Sequence, residues 1–517
     1  MTGTPKLDAE IAAYEQRLER VLRDDPGRPP LLNNLAVRLR ARFGLTGDES
    51  DLERAVQACQ EAIASIDPAC PQAPVYLNSL GNCLADRFAR YGSASDLDAA
   101  ITAYQNAVDR SAQCSPDVPA FEANLASALV DRYLRDGAVR DLDHAITIVE
   151  HIWDCGTGDP AERAGLAANY SSMLQDRYVA TGSLEDLERA IDVARTALAS
   201  CPADASTHAV LLTNLGGALQ SRYERVDHRD DLDAAVEALR AGLAETAERS
   251  PGRALLLNNL GVTLAAHARI DGGASGVRDL TEAIAAHRSA VRATPGIDRA
   301  QRLDNLAAAL SDRYQMAGRS RDLRRALRIW RRSVTETAPH APQRSRRLGN
   351  LARGYALRFD RQSRRRDLLH ARRLYQQSCI AGLTSDPESA LAAGSEWGKW
   401  AIVRTAYPEA AGAYDLAADA LDQLFRTQLL RPNKEAWLRA AVGTASAGSF
   451  AHARAGDCAG AVRAIERGRA LLLSEALDRD RAGLTRLGAL SRGDLAARYS
   501  EVSQRLKKLL DAGQRWP

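Results

Sequence analysis

The sequence predicts an all-α protein, a right-handed superhelical solenoid of stacked helical hairpins. Three observations carry that prediction. Ala, Leu and Arg dominate a chain with only 5% aromatic residues, and all three are strong helix formers. Two markers then recur with one period. The residue after an Asn, or after its substitute, falls at Leu35, Leu80, Leu125, Tyr170, Leu215, Leu260, Leu306 and Leu351, in steps of 45 or 46. The dipeptide Asp-Leu starts at Asp51, Asp96, Asp141, Asp186, Asp231, Asp279, Asp322 and Asp367, in steps of 43 to 48. Finally, apolar residues inside each copy sit three and four apart, the stripe of a helix buried on one face.

The elements follow in chain order. Residues 1–28 hold one amphipathic helix, with Leu7, Ile11, Tyr14, Leu18 and Leu22 on its stripe, and read as an N-terminal cap. Residues 29–381 hold eight copies of a two-helix unit. In copy one the first helix runs from Pro30 to Phe43, with Leu32, Leu35, Ala36, Leu39 and Phe43 as its stripe. GLTGDES reads as the break. The second helix opens at Ser50, where Glu53 stands at capping-box spacing, and its stripe is Leu52, Ala55, Val56, Cys59 and Ile63. X-Pro pairs such as Asp67-Pro68 and Cys201-Pro202 close several copies. A lone hairpin cannot bury its stripe, whereas a stack of them can. Copy six departs from the pattern. His267-Ala268 replaces an Arg-aromatic pair and its turn is three residues longer, so it is expected to be the loosest copy, a hinge. Residues 382–480 read as a degenerate helical segment in which Trp397, Trp400 and Trp437 pack, and 481–517 as a charged helical connector.

Those spacings carry two resemblances. The large-residue, Leu-Gly/Ala pattern of the first helix and the Ala-rich second helix resemble the tetratricopeptide repeat over about residues 30–380, and LNNLA is similar to the elongated repeats of kinesin light chains. The copies are longer than the family norm, and the surplus is expected in the turn and the connector. In that family the equivalent asparagine of the first helix lines the concave groove and contacts peptides, which implies that role for the Asn row described below. AVRAIERGRALLLSEALDRDR (461–481) and the helix after it resemble the stretch before the caspase-like protease of bacterial CHAT proteins. That resemblance implies a cytoplasmic sensor or scaffold of bacterial origin, with the protease in cis beyond Pro517.

Composition and motifs narrow the function. At 517 residues and 45% hydrophobic, the chain exceeds one compact domain. No basic start leads into an apolar run, and no run is long enough to span a bilayer. The eight cysteines are scattered without a Cys-x-x-Cys pair, which fits a reduced, cytoplasmic protein. No phosphate-binding glycine loop or His-Glu-x-x-His is present. His144, His151 and Cys155 lack a fourth donor for a metal. The expectation is a protein without catalytic residues, metal or cofactor, working through partners.

Three features are candidates for contact with those partners, and a fourth, a periodic Arg–Asp pair, reads as structural. Asn34, Asn124, Asn169, Asn214, Asn259, Asn305 and Asn350 share one repeat position, with Ser79 as the substitute. An amide offers donors and an acceptor that match a peptide unit, so the row either grips an extended chain or bridges neighbouring helices. Asp86, Asp131, Asp176 and Asp312 stand seven residues further on, a negative lining suited to a basic ligand. Arg42, Arg87, Arg132, Arg177, Arg222, Arg313 and Arg358 each stand nine residues before a marker Asp and are expected to brace the turn as half-exposed pairs worth about 0–1 kcal/mol. Residues 319–373 hold 18 Arg against four acids, net +14 in a chain of net +3. Arg324, Arg328, Arg346, Arg347, Arg364 and Arg365 represent this patch, which suits an acidic protein surface or nucleic acid. Self-assembly into a homo-oligomer is a third reading.

Overall fold

A computed structural model describes residues 4–470 apart from 68–69, 113–114, 157–158, 203–205, 249, 251, 294–297 and 428–430, together with Arg498. The described residues form helices and no strands. The chain divides into two compact units, Met1–Gly252 and Arg253–Pro517. The first holds α1 (Thr4–Arg20) and the hairpins α2 (Arg28–Thr46) with α3 (Glu49–Ala64), α4 (Ala73–Tyr91) with α5 (Ala94–Arg110), α6 (Val118–Asp136) with α7 (Val139–Cys155), α8 (Pro160–Thr181) with α9 (Leu184–Ser200), and α10 (Ser206–Val226) with α11 (Arg229–Glu245). The second holds α12 (Arg253–Asp271) with α13 (Gly273–Ala293), α14 (Asp298–Ala317) with α15 (Ser320–Thr335), α16 (Arg344–Gln362) with α17 (Arg365–Ser385), α18 (Pro387–Val403) with α19 (Tyr407–Thr427), and α20 (Arg431–Arg454) followed by helical residues 458–470. Each unit is a solenoid of hairpins, and hairpin stacking continues past Gly382, where the sequence period fades. There Trp397 stacks on Tyr375 with ring centroids 6.3 Å apart.

The turns are shorter than GLTGDES suggested. α2 continues to Thr46, and only Gly47 and Asp48 separate it from α3. Gly47 sits in the left-handed region (φ 71°) and its N–H closes on the Phe43 carbonyl, which stops the helix at a cost that glycine escapes. Asp48, not Ser50, caps α3, its side chain accepting from the Ser50 N–H. Gly92-Ser93, Gly137-Ala138 and Gly182-Ser183 repeat this two-residue turn. The length beyond the family norm therefore lies in the helices and the connectors, not in the turn.

The cap helix α1 is a second helix in disguise. Leu7, Ile11 and Leu18 stand 45 residues before Leu52, Val56 and Ile63. Ile11 is buried, and Tyr14 and Leu18 pack against the same core, while Leu22 lies beyond the helix end and is 80% exposed.

Within a copy the small residue of the first helix receives a side chain of the second. A Cβ at Gly81 would meet the Tyr104 ring at 2.5 Å, one at Gly216 would meet Leu239 at 2.5 Å, and one at Gly261 would meet His287 at 2.6 Å. This contact explains the small residue that follows Asn-Leu. Copy six follows the same rule, and the boundary between the two compact units falls where its first helix begins. Its extra residues add a turn to α13 rather than to the connection, which is Gly272 alone. Gly276 lets the two helices close, since a Cβ there would lie 2.6 Å from the Ala268 carbonyl.

First helices of successive copies touch one another (α2 with α4, α8 with α10, α14 with α16), whereas among second helices only α17 and α19 do so to a comparable extent. First helices therefore line the inner, tighter side of each stack, and second helices its outer side.

Candidate functional site

The Asn row lies on the inner side. Asn34 and Asn169 are exposed, and the other five are half-buried. Four of them are also bonded to the neighbouring first helix. Asn124 Nδ2 donates to Asn78 Oδ1 (2.9 Å), Asn214 Nδ2 to the Ala168 carbonyl (2.8 Å), Asn305 Nδ2 to Asn258 Oδ1 (3.0 Å) and Asn350 Nδ2 to Asp304 Oδ2 (2.9 Å). In every case the acceptor belongs to the residue just before the row position of the preceding copy. The bridging role is thus present in four amides, and the row is still reachable from solvent. Where Ser79 replaces Asn, the chain stops short. Asn33 Oδ1, the acceptor due at that step, is buried without a partner.

The acids seven residues on are not one lining. Asp86 pairs with Arg40 at 2.6 Å, and Asp312 lies 4.0 Å from Arg269. Asp131 is exposed and Asp176 half-buried. Desolvation holds the carboxyls of Asp131, Asp176 and Asp312 above the ordinary range.

The row opens into a cavity of about 600 Å³ between α14, α16 and α18, lined by Asn305 and Asn350 together with Asp304, Arg346, Arg353 and Glu396. Arg353 donates through Nε (2.5 Å) and Nη2 (2.7 Å) to the two Glu396 oxygens, a fork-to-fork pair that raises the guanidinium pKa. Asp304 is 3% exposed, and burial pushes its carboxyl upward. The Arg346 charge, the Asn350 amide, the Arg347 charge and the Trp330 indole act in the opposite direction. At the rim, burial and then the Asp386 charge raise Glu388. Such a cavity offers donors, acceptors and both signs of charge, the chemistry that holds a polar main chain. Asp304, Arg353 and Glu396 were missed in the sequence. Asp304 had a signal, since it stands where Asn33, Asn78 and Asn258 stand in other copies; Glu396 lies beyond the periodic region and had none.

The arginine braces form in all seven copies. Arg42 reaches Asp51 (2.7 and 2.6 Å), Arg132 reaches Asp141 (2.8 and 2.7 Å), and Arg313 reaches Asp322 (2.8 and 3.0 Å), each by two nitrogens. The other four are built alike. They are more enclosed than expected, because the Asp sits in the first turn of the second helix under the end of the first. Asp51 is 1% and Asp322 3% exposed. In copy six His267 takes the arginine's place, its Nδ1 2.9 Å from Asp279 and 3.7 Å from Asp271. These three could hold a metal ion by distance alone, but the brace already accounts for their arrangement.

The basic patch is not one surface. Arg324, Arg328, Arg364 and Arg365 are exposed on the outer helices or at their start. Arg346 is on the inner side, bonded to Gln301. Arg347 is only 5% exposed and bonds Thr337, so it is not available to a surface patch.

At the far end of the described residues, His452 Nδ1 meets Asp457 (2.9 Å) and Nε2 meets Asp415 (3.1 Å), beside a second cavity of about 350 Å³. His151 and Cys155 are exposed and 3.9 Å apart. Among the described residues no helix is long and apolar enough to cross a membrane. Trp437's side chain, and the CHAT-like stretch from 471 to 517 save Arg498, lie outside the described residues.

The tetratricopeptide-repeat family model matches residues 31–68 and 299–334, which are copies one and seven. Among solved structures, human IFIT1, in a dimer with PPP-AAAA, is 15% identical over 90% of this chain and 95% of that one, with a TM-score of 0.41. A putative kinesin light chain from Podosopora anserina with nearly identical TPR-like repeats is 17% identical over 44% of this chain and 99% of that one, with a TM-score of 0.31. YrrB, a TPR protein with an unusual peptide-binding site, is 16% identical over 46% and 98%, with a TM-score of 0.31. No curated protein matches.

Proposed function

From a chain that carries tetratricopeptide-type repeats, we propose a protein-interaction scaffold that holds an extended polypeptide along its first-helix face, anchored in the cavity between α14, α16 and α18. One observation carries this reading. Asn305 and Asn350 lie in a cavity that is also lined by the Arg353–Glu396 pair and by Asp304 and Arg346. Each net hydrogen bond to a peptide unit contributes roughly 0.5–1.5 kcal/mol, so several along the row are needed for a useful affinity. In the second unit Asn259 supplies a further one in sequence-independent form; the first unit carries its own row of Asn34, Asn124, Asn169 and Asn214, where Asp131 and Asp176 favour basic side chains.

Random peptides displayed on phage and selected against the full chain test this. Binders should lose at least about tenfold in affinity, or about 1.4 kcal/mol, when Ala392→Trp fills the cavity from its exposed rim. Binders indifferent to that change, and to Asn169→Ala with Asn259→Ala, sink the reading. The resemblance at 461–481 supports placing this scaffold before a CHAT-type protease in cis, and the reading frame past the Pro517 codon tests that placement.

A further inference from the structure

Four of the braces have a second contact. Besides its own marker Asp, the arginine reaches back to the residue two beyond the marker of the preceding copy. Arg132 lies 3.5 Å from Asp98, Arg177 3.4 Å from Asp143, and Arg313 Nη1 bonds Thr281 Oγ1 at 3.1 Å. In the cap helix Asp8 takes this part for Arg42 at 2.7 Å. That position reads Glu53, Asp98, Asp143, Glu188, Asp233 and Thr281, and then Arg324 and Leu369. Copy seven has replaced a stitching acid by a cation.

Arg324 does not stand alone. Arg321, Arg325 and Arg328 share its exposed face of α15, and Arg364, Arg365, Arg366 and Arg373 are exposed along α17. Among the described residues none of these eight has a carboxylate within salt-bridge distance. Arg288 on α13 is crowded from the same side, its pKa lowered by burial and by Arg325. Giving up a stabilising contact to gather unpaired guanidinium groups makes sense if something anionic covers them.

The chain itself contains a matching surface. Residues 1–252 carry 24 Lys and Arg against 40 Asp and Glu, net −16, and residues 253–517 carry 45 against 26, net +19. On the outer helices of the first unit, Glu53, Asp98, Asp143, Glu188, Asp192, Asp233 and Glu237 are all exposed. Acid and arginine therefore occupy the same two register positions, two and six beyond the marker: Glu188 and Asp192, Asp233 and Glu237, Arg324 and Arg328.

We propose that the outer face of α15 and α17 docks the acidic outer face of residues 1–252 of a second copy. The contact is heterologous, so copies add head to tail. It is largely electrostatic and exposed, so salt weakens it as the Debye length falls below about 10 Å near 0.1 M.

Light scattering and sedimentation of the full chain test this. At about 50 mM salt the mass should rise with concentration to at least twice that of one chain, and raising the salt should return it to the monomer. Arg324→Glu with Arg328→Glu should give a monomer that keeps its helical content, as should Asp192→Arg with Glu237→Arg. Mixing the two variants should restore a complex, because each keeps the face that the other lost. A wild-type monomer at every concentration, or two inert variants that stay inert when mixed, overturns the proposal. So does tight binding of single-stranded RNA by the monomer that Arg324→Glu and Arg328→Glu abolish, which assigns the face to nucleic acid instead.

Discussion

Asn33 carries a buried oxygen that nothing reaches, 46 residues before a serine that stands where an asparagine stands in seven other copies. Ser79→Asn should supply the missing donor and raise the stability of α2–α4 by roughly 0.5–1.5 kcal/mol, read as slower hydrogen exchange there. An unchanged or lower protection would show that Asn33 is satisfied by water. His287 poses the opposite problem. It is 1% exposed against Gly261, and burial pushes its pKa from 6.5 to about 4. The unfolded chain takes up the proton first, so between those values it binds more protons than the folded chain, and stability falls as the pH falls. Stability is full above about pH 6.5, and the loss amounts to about 3 kcal/mol by pH 4. Copy five already seats Leu239 over Gly216 in this place. His287→Leu should therefore flatten the acid loss of exchange protection in α12 and α13 relative to the wild type. Equal slopes in both proteins would remove the histidine from the account.

At the scale of the element, the brace sets how one helix hands over to the next. Arg313 and Asp322 are the most enclosed pair, with side chains 9% and 4% exposed. Arg313→Ala leaves a buried carboxylate with its partner removed, a change that costs roughly 3–5 kcal/mol in such settings, not the 0–1 kcal/mol of an exposed pair. The check is hydrogen exchange across α14 and α15 in that variant beside Arg313→Ala/Asp322→Ala. The double variant should be the more stable of the two; if it is not, the carboxylate was never stranded. These pairs also show what a sequence can reveal. Their spacing of nine residues was legible because both partners recur, whereas their burial was not, because it depends on a two-residue turn. GLTGDES looked like a loop by composition, but one left-handed glycine lets both helices run through it. The Asn row was legible for the same reason as the braces. Its acceptors were not, because an amide, a carboxylate and a bare carbonyl all serve at the position before it. Past Gly382 the period ends while the hairpins go on, so Glu396 could not be placed.

At the scale of the whole molecule, each helix finds its packing partners a few tens of residues away along the chain, and stability is then a sum of copies and of interfaces between neighbours. Leu142 is fully buried in α7, in the middle of the first unit. Leu142→Ala removes its contacts and leaves a cavity, at a cost of roughly 2–5 kcal/mol. If the sum is the right description, that loss stays local. Hydrogen exchange should speed up in α4–α9 and remain unchanged in α14–α17. Such a protein melts without a single two-state transition, so a shift in one melting temperature cannot report the effect, whereas exchange resolved by segment can. Acceleration spread evenly from α2 to α19 would mean that the copies stand or fall together.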